Sequence, residues 1–437
     1  MHAPVLNRQT LFSRLKDNSA VLVKSGEELI RNRDVEFPFR AHSDFFYLTG
    51  FSEPDALLLM SKIDGEERTT IFLRPKNLEQ EIWQGRRLGV ESAPATLQVD
   101  QAYSIEELDE WLPELLIGSE QLLVSFSDFS EWAEIIAPLI EQLKKQVRKG
   151  VDSPTTLFDL DVLLHEQRLI KNHREIELMR KAAQISVQGH LAAMAVAASA
   201  NSERTVQIAL ENAFYQHGAQ RVAFNSICAS GENACILHYT ENNAPLQSNA
   251  LLLVDAGAEY HGYAGDITHT FPPSGKFSTE QAALYSLVLK AQQAVIQMIK
   301  PGVLYGDLHQ TTLRILTAGL LDLGLLKGDL TTLVADKAYT EFFMHGTGHW
   351  LGMDVHDVGK YKIDGEWRPL EVGMVLTVEP GLYVSDRHQN VSAKWHNIGI
   401  RIEDDVLVTE KGCEVLTAGL PRTVAEIEQW FVEHSHK

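Results

Sequence analysis

The sequence has little cysteine, no long hydrophobic run and few basic residues, and each absence excludes a class of protein. Three cysteines among 437 residues, with no CxxC pair, provide no disulfide framework and suit a reducing compartment. No apolar run approaches the ~18 residues needed to span a bilayer. Lys and Arg number 39 against 59 Asp and Glu, which disfavours nucleic acid and anionic membranes as partners. The first ten residues lack the pattern of a signal peptide, so we expect a cytoplasmic location.

The length and the pattern of the first third predict two domains. A chain of 437 residues exceeds one ordinary hydrophobic core. The first third mixes strand-like runs with helical spacing, which predicts an α/β domain. The strand-like runs are AVLV, ALLLM, TTIFL and QLLVSF, and the helical segments are SIEELDEWLPELL and SEWAEIIAPLIEQLKKQVRK. The Ser-Pro-Thr-Thr cluster within 149–160 is the best linker candidate. We place the N-terminal domain at 1–165 and the second domain at 166–437.

The second domain shows helices and strands in separate runs. Asn172 with Glu175 predicts a capping box at the start of a long helix, and Ser278 with Gln281 predicts another. The second helix is expected to stop before Pro301. Strands rich in glycine and acidic residues follow each helix, which favours an α+β domain with an antiparallel sheet.

The most informative segment of that domain is LLLVDAGAEYHGYAGDITHTF, which predicts a β-hairpin. If His261 and Gly262 form the turn, Asp255 pairs with Thr268, and Asp266 lies two positions along on the same face. Two like charges held so close repel each other, and folding alone gives no reason to keep them. A divalent cation would neutralise both.

Three further segments carry residues of the same chemical character. In HGTGH, His345 and His349 lie four apart, but the intervening glycines disfavour a helix, so we predict a loop. MVLTVEPGLY predicts a strand that places Glu379 before a Pro-Gly turn. In GIRIEDD, Arg401 and Glu403 share one strand face and the isoleucines share the other.

Four carboxylates and one imidazole predict a pair of metal ions. Such donors suit Mn²⁺, Co²⁺, Fe²⁺ or Zn²⁺. Four carboxylates are too many for a single catalytic zinc, and they suit two ions ~3.5–4 Å apart. Each residue alone could be a solvated strand-end side chain, and Arg401 with Glu403 could be an ordinary ion pair. Five residues with matching contexts favour the dimetal interpretation.

These motifs resemble a known family. DAG…GDIT-x-TF, HGTGHWLGMDVHD, TVEPGLY and GIRIEDD are similar to the metal-binding motifs of the pita-bread metallopeptidases, family M24. FPFRAHSDFFYLTGF and EIWQGRRLG resemble the N-terminal domain of its Xaa-Pro aminopeptidase (aminopeptidase P) branch. The resemblance implies a pita-bread α+β catalytic domain, an antiparallel sheet with flanking helices, preceded by a smaller α/β domain.

The resemblance also implies roles for individual residues. Two divalent ions, expected to be Mn²⁺, would be bound by Asp255, Asp266, His349, Glu379 and Glu403. Catalysis would use Glu379 as proton shuttle, with His238 near the scissile bond and His356 as a hydrogen-bond partner of the substrate or the developing oxyanion. His345 and Arg401 would line the proline side of the site, and Trp83 would reach the active site of a neighbouring subunit. For Trp350 and Tyr383, a wall of the proline recess and core packing remain equal alternatives, and for Trp83 an ordinary packing role is an equal alternative.

The implied activity is hydrolysis of N-terminal Xaa-Pro bonds by a hydroxide that bridges the metals. The implied partners are peptides with proline second, and the protein is expected to form a homo-oligomer, a dimer or tetramer. Prolidase, which cleaves Xaa-Pro dipeptides, is the first alternative, and creatinase-like chemistry is a distant one. A non-catalytic interaction module is the alternative of another class. The sequence departs from the family pattern at His269, where relatives more often have arginine, and in the polar segment 385–397.

Overall fold

The chain divides into two units, Met1–Gln167 and Arg168–Lys437, and the computed structural model describes residues 3–434. No helix in this described part is long and apolar enough to cross a bilayer.

The first unit contains eight strands and the helices that pack on them. The strands are β1 (Ser19–Lys24), β2 (Ile30–Asn32), β3 (Val35–Glu36), β4 (Leu57–Ile63), β5 (Glu66–Leu73), β6 (Gln101–Ser104), β7 (Gln121–Val124) and β8 (Thr156–Asp159). The helices are α1 (Ala3–Arg14), α2 (Ser43–Thr49), α3 (Leu78–Gln84), α4 (Ala93–Leu97), α5 (Leu108–Leu115), α6 (Phe129–Lys144) and α7 (Asp161–Leu169), in which the division between the units falls.

A mixed sheet of six strands forms the centre of this unit, in the order β6-β5-β4-β1-β7-β8. The pairs β5–β6, β1–β7 and β7–β8 are parallel, whereas β1–β4 and β4–β5 are antiparallel. Leu22, Leu59 and Phe72 of the sheet are buried in one core with Trp132 and Leu139 of α6. The α/β architecture expected for the N-terminal domain is confirmed.

The segment predicted to be a linker is partly a strand. Residues Thr156–Asp159 form β8, and Leu157 lies opposite Leu122 of β7. Of the Ser-Pro-Thr-Thr cluster named as the best linker candidate, only Thr156 lies in β8, and the other three residues precede the strand.

The second unit combines long helices with short antiparallel strands. The helices are α8 (His173–Ala197), α9 (Glu203–Gln216), α10 (Thr279–Met298), α11 (Tyr305–Asp322), α12 (Leu330–Ala335) and α13 (Val424–His434). The strands are β9 (Arg221–Val222), β10 (Ile227–Ser230), β11 (Leu252–Ala256), β12 (Ala258–Tyr260), β13 (Tyr263–Ala264), β14 (Ile267–Phe271), β15 (Lys362–Ile363), β16 (Glu366–Trp367), β17 (Val375–Val378), β18 (Gly381–Val384), β19 (Ile398–Arg401), β20 (Asp404–Thr409) and β21 (Gly412–Val415).

Both predicted capping boxes begin long helices of this unit. The side chain of Asn172 accepts from the backbone N–H of Glu175, and the Glu175 carboxylate accepts from the backbone N–H of Asn172. Ser278 and Gln281 make the same reciprocal pair at the start of α10, which ends before Pro301. The strands pair antiparallel in the groups β10-β11-β14, β13-β12-β9, β17-β20-β21, β18-β19 and β15-β16. The α+β class is confirmed.

The predicted hairpin is present with the predicted register. β11 pairs with β14, and Asp255 lies opposite Thr268. His261 and Gly262 form the turn, with φ of 48° and 81°. Both angles lie in the left-handed region that a tight hairpin turn requires.

Two glycines let the hairpin change sheets halfway along its length. The β12–β13 tip pairs with β9 instead of continuing the β11–β14 ladder. At the change, a Cβ on Gly257 would lie 1.6 Å from the carbonyl oxygen of Gly265. No side chain fits at Gly257, so the close backbone approach depends on glycine. Asp255 and Asp266 flank this crossing.

Candidate active site

Strands bring four of the five predicted ligands, and a loop brings the fifth, to one cavity of about 800 Å³. The β11–β14 hairpin carries Asp255 and Asp266, the β17–β18 connection carries Glu379, and the β19–β20 connection carries Glu403. As predicted, His349 lies in an irregular loop rather than a helix. The predicted site residues that line the cavity are Asp255, Asp266, His349, Glu379, Glu403, His238, His345, His356 and Arg401.

Three residues of the cavity bring metal-ligating atoms close together. Ligand atoms of Asp266, His349 and Glu403 all lie within 4.8 Å of one another. His349 Nε2 is 3.6 Å from Asp266 Oδ2 and 3.7 Å from Glu379 Oε1. These distances leave room for a cation between the side chains instead of direct hydrogen bonds.

The hydrogen-bond pattern fits a bound cation. Asp255 Oδ1 and Asp266 Oδ1 are buried and have no hydrogen-bond partner. Buried polar atoms are nearly always paired, so two unpaired oxygens in one cavity indicate a missing positive partner. Carboxylate oxygens with one imidazole are donors that divalent metals accept.

The electrostatics of the carboxylates point the same way. Burial, reinforced by neighbouring carboxylates, raises the pKa of Asp266 and of Glu403 well above the ordinary range. Burial also raises the pKa of Glu379 to about 8, although Arg401 opposes the shift. Without a metal, the carboxyl groups of Asp266, Glu379 and Glu403 therefore favour the protonated form, and a bound cation would favour their ionised form.

Arg401 pairs with the hairpin and not with its neighbour Glu403. Its Nη2 is 2.5 Å from Asp255 Oδ2, and its Nε donates to Thr268 Oγ1 at 3.0 Å. The Thr268 hydroxyl in turn donates to Glu403 Oε2 at 2.7 Å. The sequence left open an ion pair between Arg401 and Glu403. The structure instead pairs Arg401 with Asp255 on another strand, and Thr268 links Arg401 to Glu403 by hydrogen bonds.

The hydrogen bonds of His349 leave one ring nitrogen free for a metal. Nδ1 lies 3.0 Å from the carbonyl oxygen of Trp350, which can only accept, so Nδ1 carries the proton. Nε2 then presents its lone pair towards Asp266 and Glu379. Burial lowers the pKa of His349 to about 4, so the ring is neutral at pH 7. A neutral imidazole with a fixed tautomer suits metal ligation.

His345 is fixed by the same logic. Its Nδ1 donates to the carbonyl oxygen of Gly346 at 2.8 Å, so Nε2 accepts the hydroxyl proton of Tyr383 at 2.9 Å. The Tyr383 oxygen accepts in turn from Arg401 Nη1 at 2.8 Å. Burial, aided by the charge of Arg401, lowers the pKa of His345 to about 3.

His238 and His356 are exposed on the cavity wall. The ring of His356 contacts that of His349, with centroids 4.4 Å apart and planes at 74°. Both histidines are therefore accessible to a ligand in the cavity.

The burial of Trp350 and Tyr383 bears on the two alternatives that the sequence left equal for them. Trp350 and Tyr383 do not line the cavity, because they are 0% and 1% exposed. Trp350 stacks on Tyr361. The Tyr383 hydroxyl forms hydrogen bonds with His345 and with Arg401. Of the two alternatives considered, the geometry favours packing and support. Trp83 lies on α3 of the first unit and is 85% exposed.

The two departures from the family pattern lie outside the cavity wall. His269 is buried, and its Nε2 contacts the carbonyl oxygen of Pro421 at 2.9 Å. In the segment 385–397, Val391 and Trp395 are buried in the main core of the second unit. No residue of that segment lines the cavity.

Several residues of the site were not predicted from the sequence. Phe224 and Tyr361 line the cavity, and Thr268 links two predicted residues. Thr268 could have been found, because the hairpin register places it beside Asp255 on one face. Nothing in the sequence distinguished Phe224 or Tyr361 from core aromatics.

Comparison with known proteins decides the family. The family model of metallopeptidase family M24 matches residues 177–410. The chain belongs to metallopeptidase family M24. A second family model, the N-terminal domain of aminopeptidase P, matches residues 5–124. The inferred resemblance to the Xaa-Pro aminopeptidase branch of M24 is confirmed.

Relatives within M24 match nearly the whole chain. A Xaa-Pro aminopeptidase of Haemophilus influenzae is 45% identical over 96% of this chain and 95% of its own length. One from Escherichia coli is 42% identical over 97% and 96%. The solved structure of Pseudomonas aeruginosa aminopeptidase PepP is 43% identical, with a TM-score of 0.97 over 99% of this chain and 98% of its own. The pita-bread fold with its N-terminal domain is thereby confirmed.

Proposed function

We propose that this M24 enzyme hydrolyses the first peptide bond of chains whose second residue is proline, releasing the N-terminal residue. The observation that carries the proposal is the convergence of the five predicted ligands and four further polar residues on one cavity. The named relatives, which match both units of the chain, are Xaa-Pro aminopeptidases. An interaction module would gain nothing from buried carboxylates that repel each other.

We propose Asp255, Asp266, His349, Glu379 and Glu403 as the ligands of two divalent ions, with Mn²⁺ as the native metal. The unpaired buried oxygens of Asp255 and Asp266 support this assignment. When bound, the ions would supply a nucleophile at neutral pH by lowering the pKa of water, and would polarise the substrate carbonyl.

The side chains around the ligands would handle the proton and the substrate. Glu379 would take the proton of the attacking water and deliver it to the departing proline nitrogen, a role worth typically about 10²–10⁴-fold. His238 and His356 are exposed on the cavity wall and would donate hydrogen bonds to the oxygen that becomes negative. His345 and Arg401, held together by one tyrosine hydroxyl, would form the proline side.

We propose that the site accepts proline as the second residue because it would not require a backbone N–H from that residue. Proline has no backbone N–H and a fixed φ, so a site that needs that N–H would reject it. His345 offers no acceptor towards the cavity, because its Nε2 is already bonded to Tyr383.

We also propose a homo-oligomer, a dimer or tetramer, in which α3 packs on another copy. None of the residues of α3 is buried, and Leu78, Ile82 and Trp83 are 80%, 80% and 85% exposed. An apolar surface of this kind marks a contact with another protein. A cytoplasmic location is supported by the three free cysteines and remains a prediction from composition.

One assay tests the proposed reaction. The protein is stripped of metal and offered an Xaa-Pro dipeptide and an Xaa-Pro-Yaa tripeptide, each with and without Mn²⁺. Metal-dependent release of the first residue from the tripeptide is expected. Cleavage of the dipeptide alone would identify a prolidase instead. Bound metal with neither peptide cleaved would contradict the peptidase proposal, and no metal binding would favour the interaction module.

A further inference from the structure

Three buried charged side chains and one partly exposed aspartate form a cluster beside the active site. Asp357 accepts from Arg168 Nη2 at 2.7 Å and from Lys171 Nζ at 2.8 Å. Arg168 Nη2 also contacts Asp354 Oδ2 at 2.8 Å. The side chains of Arg168, Lys171 and Asp357 are only 3%, 1% and 1% exposed. Desolvated charges are costly unless paired, so this cluster is far more constrained than a surface ion pair.

The charged cluster fixes the loop of residues 351–360, which has no regular secondary structure. Residues 351–360 contain no helix or strand, and the backbone N–H of Asp357 donates to the carbonyl oxygen of Trp350 at 2.9 Å. A Cβ on Gly352 would lie 2.1 Å from Asp357 Oδ2 and 3.0 Å from Lys171 Cε. The loop is therefore packed directly against the carboxylate, and Asp357 fixes its path.

The residue next to that anchor is His356. Its exposed side chain lines the cavity, and its ring contacts the ring of His349. An exposed side chain on an irregular loop has little packing to hold it, so its position depends on the backbone that carries it. Asp357 is the nearest buried, doubly paired point on that backbone.

We propose that Asp357, held by Lys171 and Arg168, is a positioning residue that keeps His356 in place for the reaction. This inference rests on the proposed function of His356 in the cleavage of Xaa-Pro bonds. A displacement of a reacting group by about 1 Å can cost about 10²-fold in rate. Substitution of Asp357 should therefore lower kcat although it alters none of the proposed metal ligands.

A double-mutant cycle separates positioning from general stabilisation. Asp357→Asn keeps the shape of the side chain and removes its charge, and it is expected to lower kcat about 10- to 100-fold on the tripeptide. In a His356→Ala background the same change should alter kcat by less than about twofold, since the group that it positions is gone. Equal losses in both backgrounds would overturn the inference.

Two further variants guard against simple misfolding. Lys171→Met combined with Asp357→Asn removes both charges of the 2.8 Å pair, so no new unpaired charge is buried. This double variant is expected to fold yet keep the lowered kcat, and a wild-type kcat in it would contradict positioning. Glu414→Gln breaks the half-exposed pair with Arg180 and should leave kcat unchanged.

A crystal structure of Asp357→Asn gives a readout that is independent of activity. The His356 ring is expected to leave its 4.4 Å contact with His349. A ring that stays in place would refute the positioning role, whatever the enzyme cleaves. A wild-type protein that cleaves no Xaa-Pro peptide would instead contradict the proposed function, and the ring position would still test the anchor.

Discussion

Replacement of Tyr383 by phenylalanine tests the hydrogen-bonded chain beneath the site. One hydroxyl donates to His345 Nε2 at 2.9 Å and accepts from Arg401 Nη1 at 2.8 Å. Tyr383→Phe leaves both groups without this partner, one of them charged. A buried polar group without a partner costs about 1–3 kcal/mol, so we expect the free energy of unfolding to fall by about 2–4 kcal/mol.

The matched control is Tyr285→Phe in the same unit. Tyr285 is as buried as Tyr383, but its hydroxyl makes one bond, to the carbonyl oxygen of Arg422 at 2.8 Å. Its loss should cost about 1–2 kcal/mol and leave catalysis unchanged. Both variants are compared by urea unfolding of the metal-free protein and by kcat/KM on the tripeptide, which we expect Tyr383→Phe to lower about tenfold.

The effect of Tyr383→Phe should not depend on pH between 5 and 9. The bond to His345 needs an unprotonated Nε2, and burial holds the pKa of His345 at about 3. The contribution is therefore present above that pKa and is lost only in strong acid. If Tyr383→Phe costs no more stability than Tyr285→Phe, or if its effect disappears near pH 6, the bonding scheme is wrong.

Three other predictions concern the second unit. Glu403→Ala should abolish metal loading and turnover while circular dichroism stays unchanged; substantial turnover would refute its assignment as a ligand. Burial lowers the pKa of His190 to about 4, so unfolding free energy should fall as the pH drops from about 6.5 to 4, where only the unfolded chain gains the proton. His190→Gln should reduce that slope in urea titrations, where His345 and His349 still contribute, and an unaltered slope would contradict the role of His190. Glu203 accepts four hydrogen bonds from residues 230–244, the segment that carries His238. Glu203→Gln should therefore destabilise the protein by about 2–3 kcal/mol, measured by calorimetry, and lower kcat by displacing His238. An unchanged melting temperature would refute the reasoning.

The parts of the fold that the sequence predicted correctly depend on short-range chemistry. The capping boxes of α8 and α10 each involve residues three apart. The pairing of Asp255 with Thr268 follows from the turn at His261 and Gly262, since a two-residue turn sets the register of the whole hairpin.

The parts that escaped prediction depend on contacts between distant segments. Arg401 pairs with Asp255, 146 positions away, although Glu403 lies only two residues along the chain. Asp357 meets Lys171 across 186 positions. Tyr383 is buried outside the cavity wall because several strands pack around it, and local sequence does not reveal that packing. Local pattern identifies which residues are chemically unusual, whereas packing decides which of them touch.

The crossing of backbones at Gly257 and Gly265 has a consequence for how this protein can vary. The crossing lies two residues after Asp255 and one before Asp266, and a Cβ on Gly257 would meet the Gly265 carbonyl at 1.6 Å. A side chain there would push the arms of the hairpin apart and move both aspartates at once. Saturation mutagenesis should therefore find Gly257 as intolerant as the aspartates themselves, although glycine has no side chain with which to bind or react.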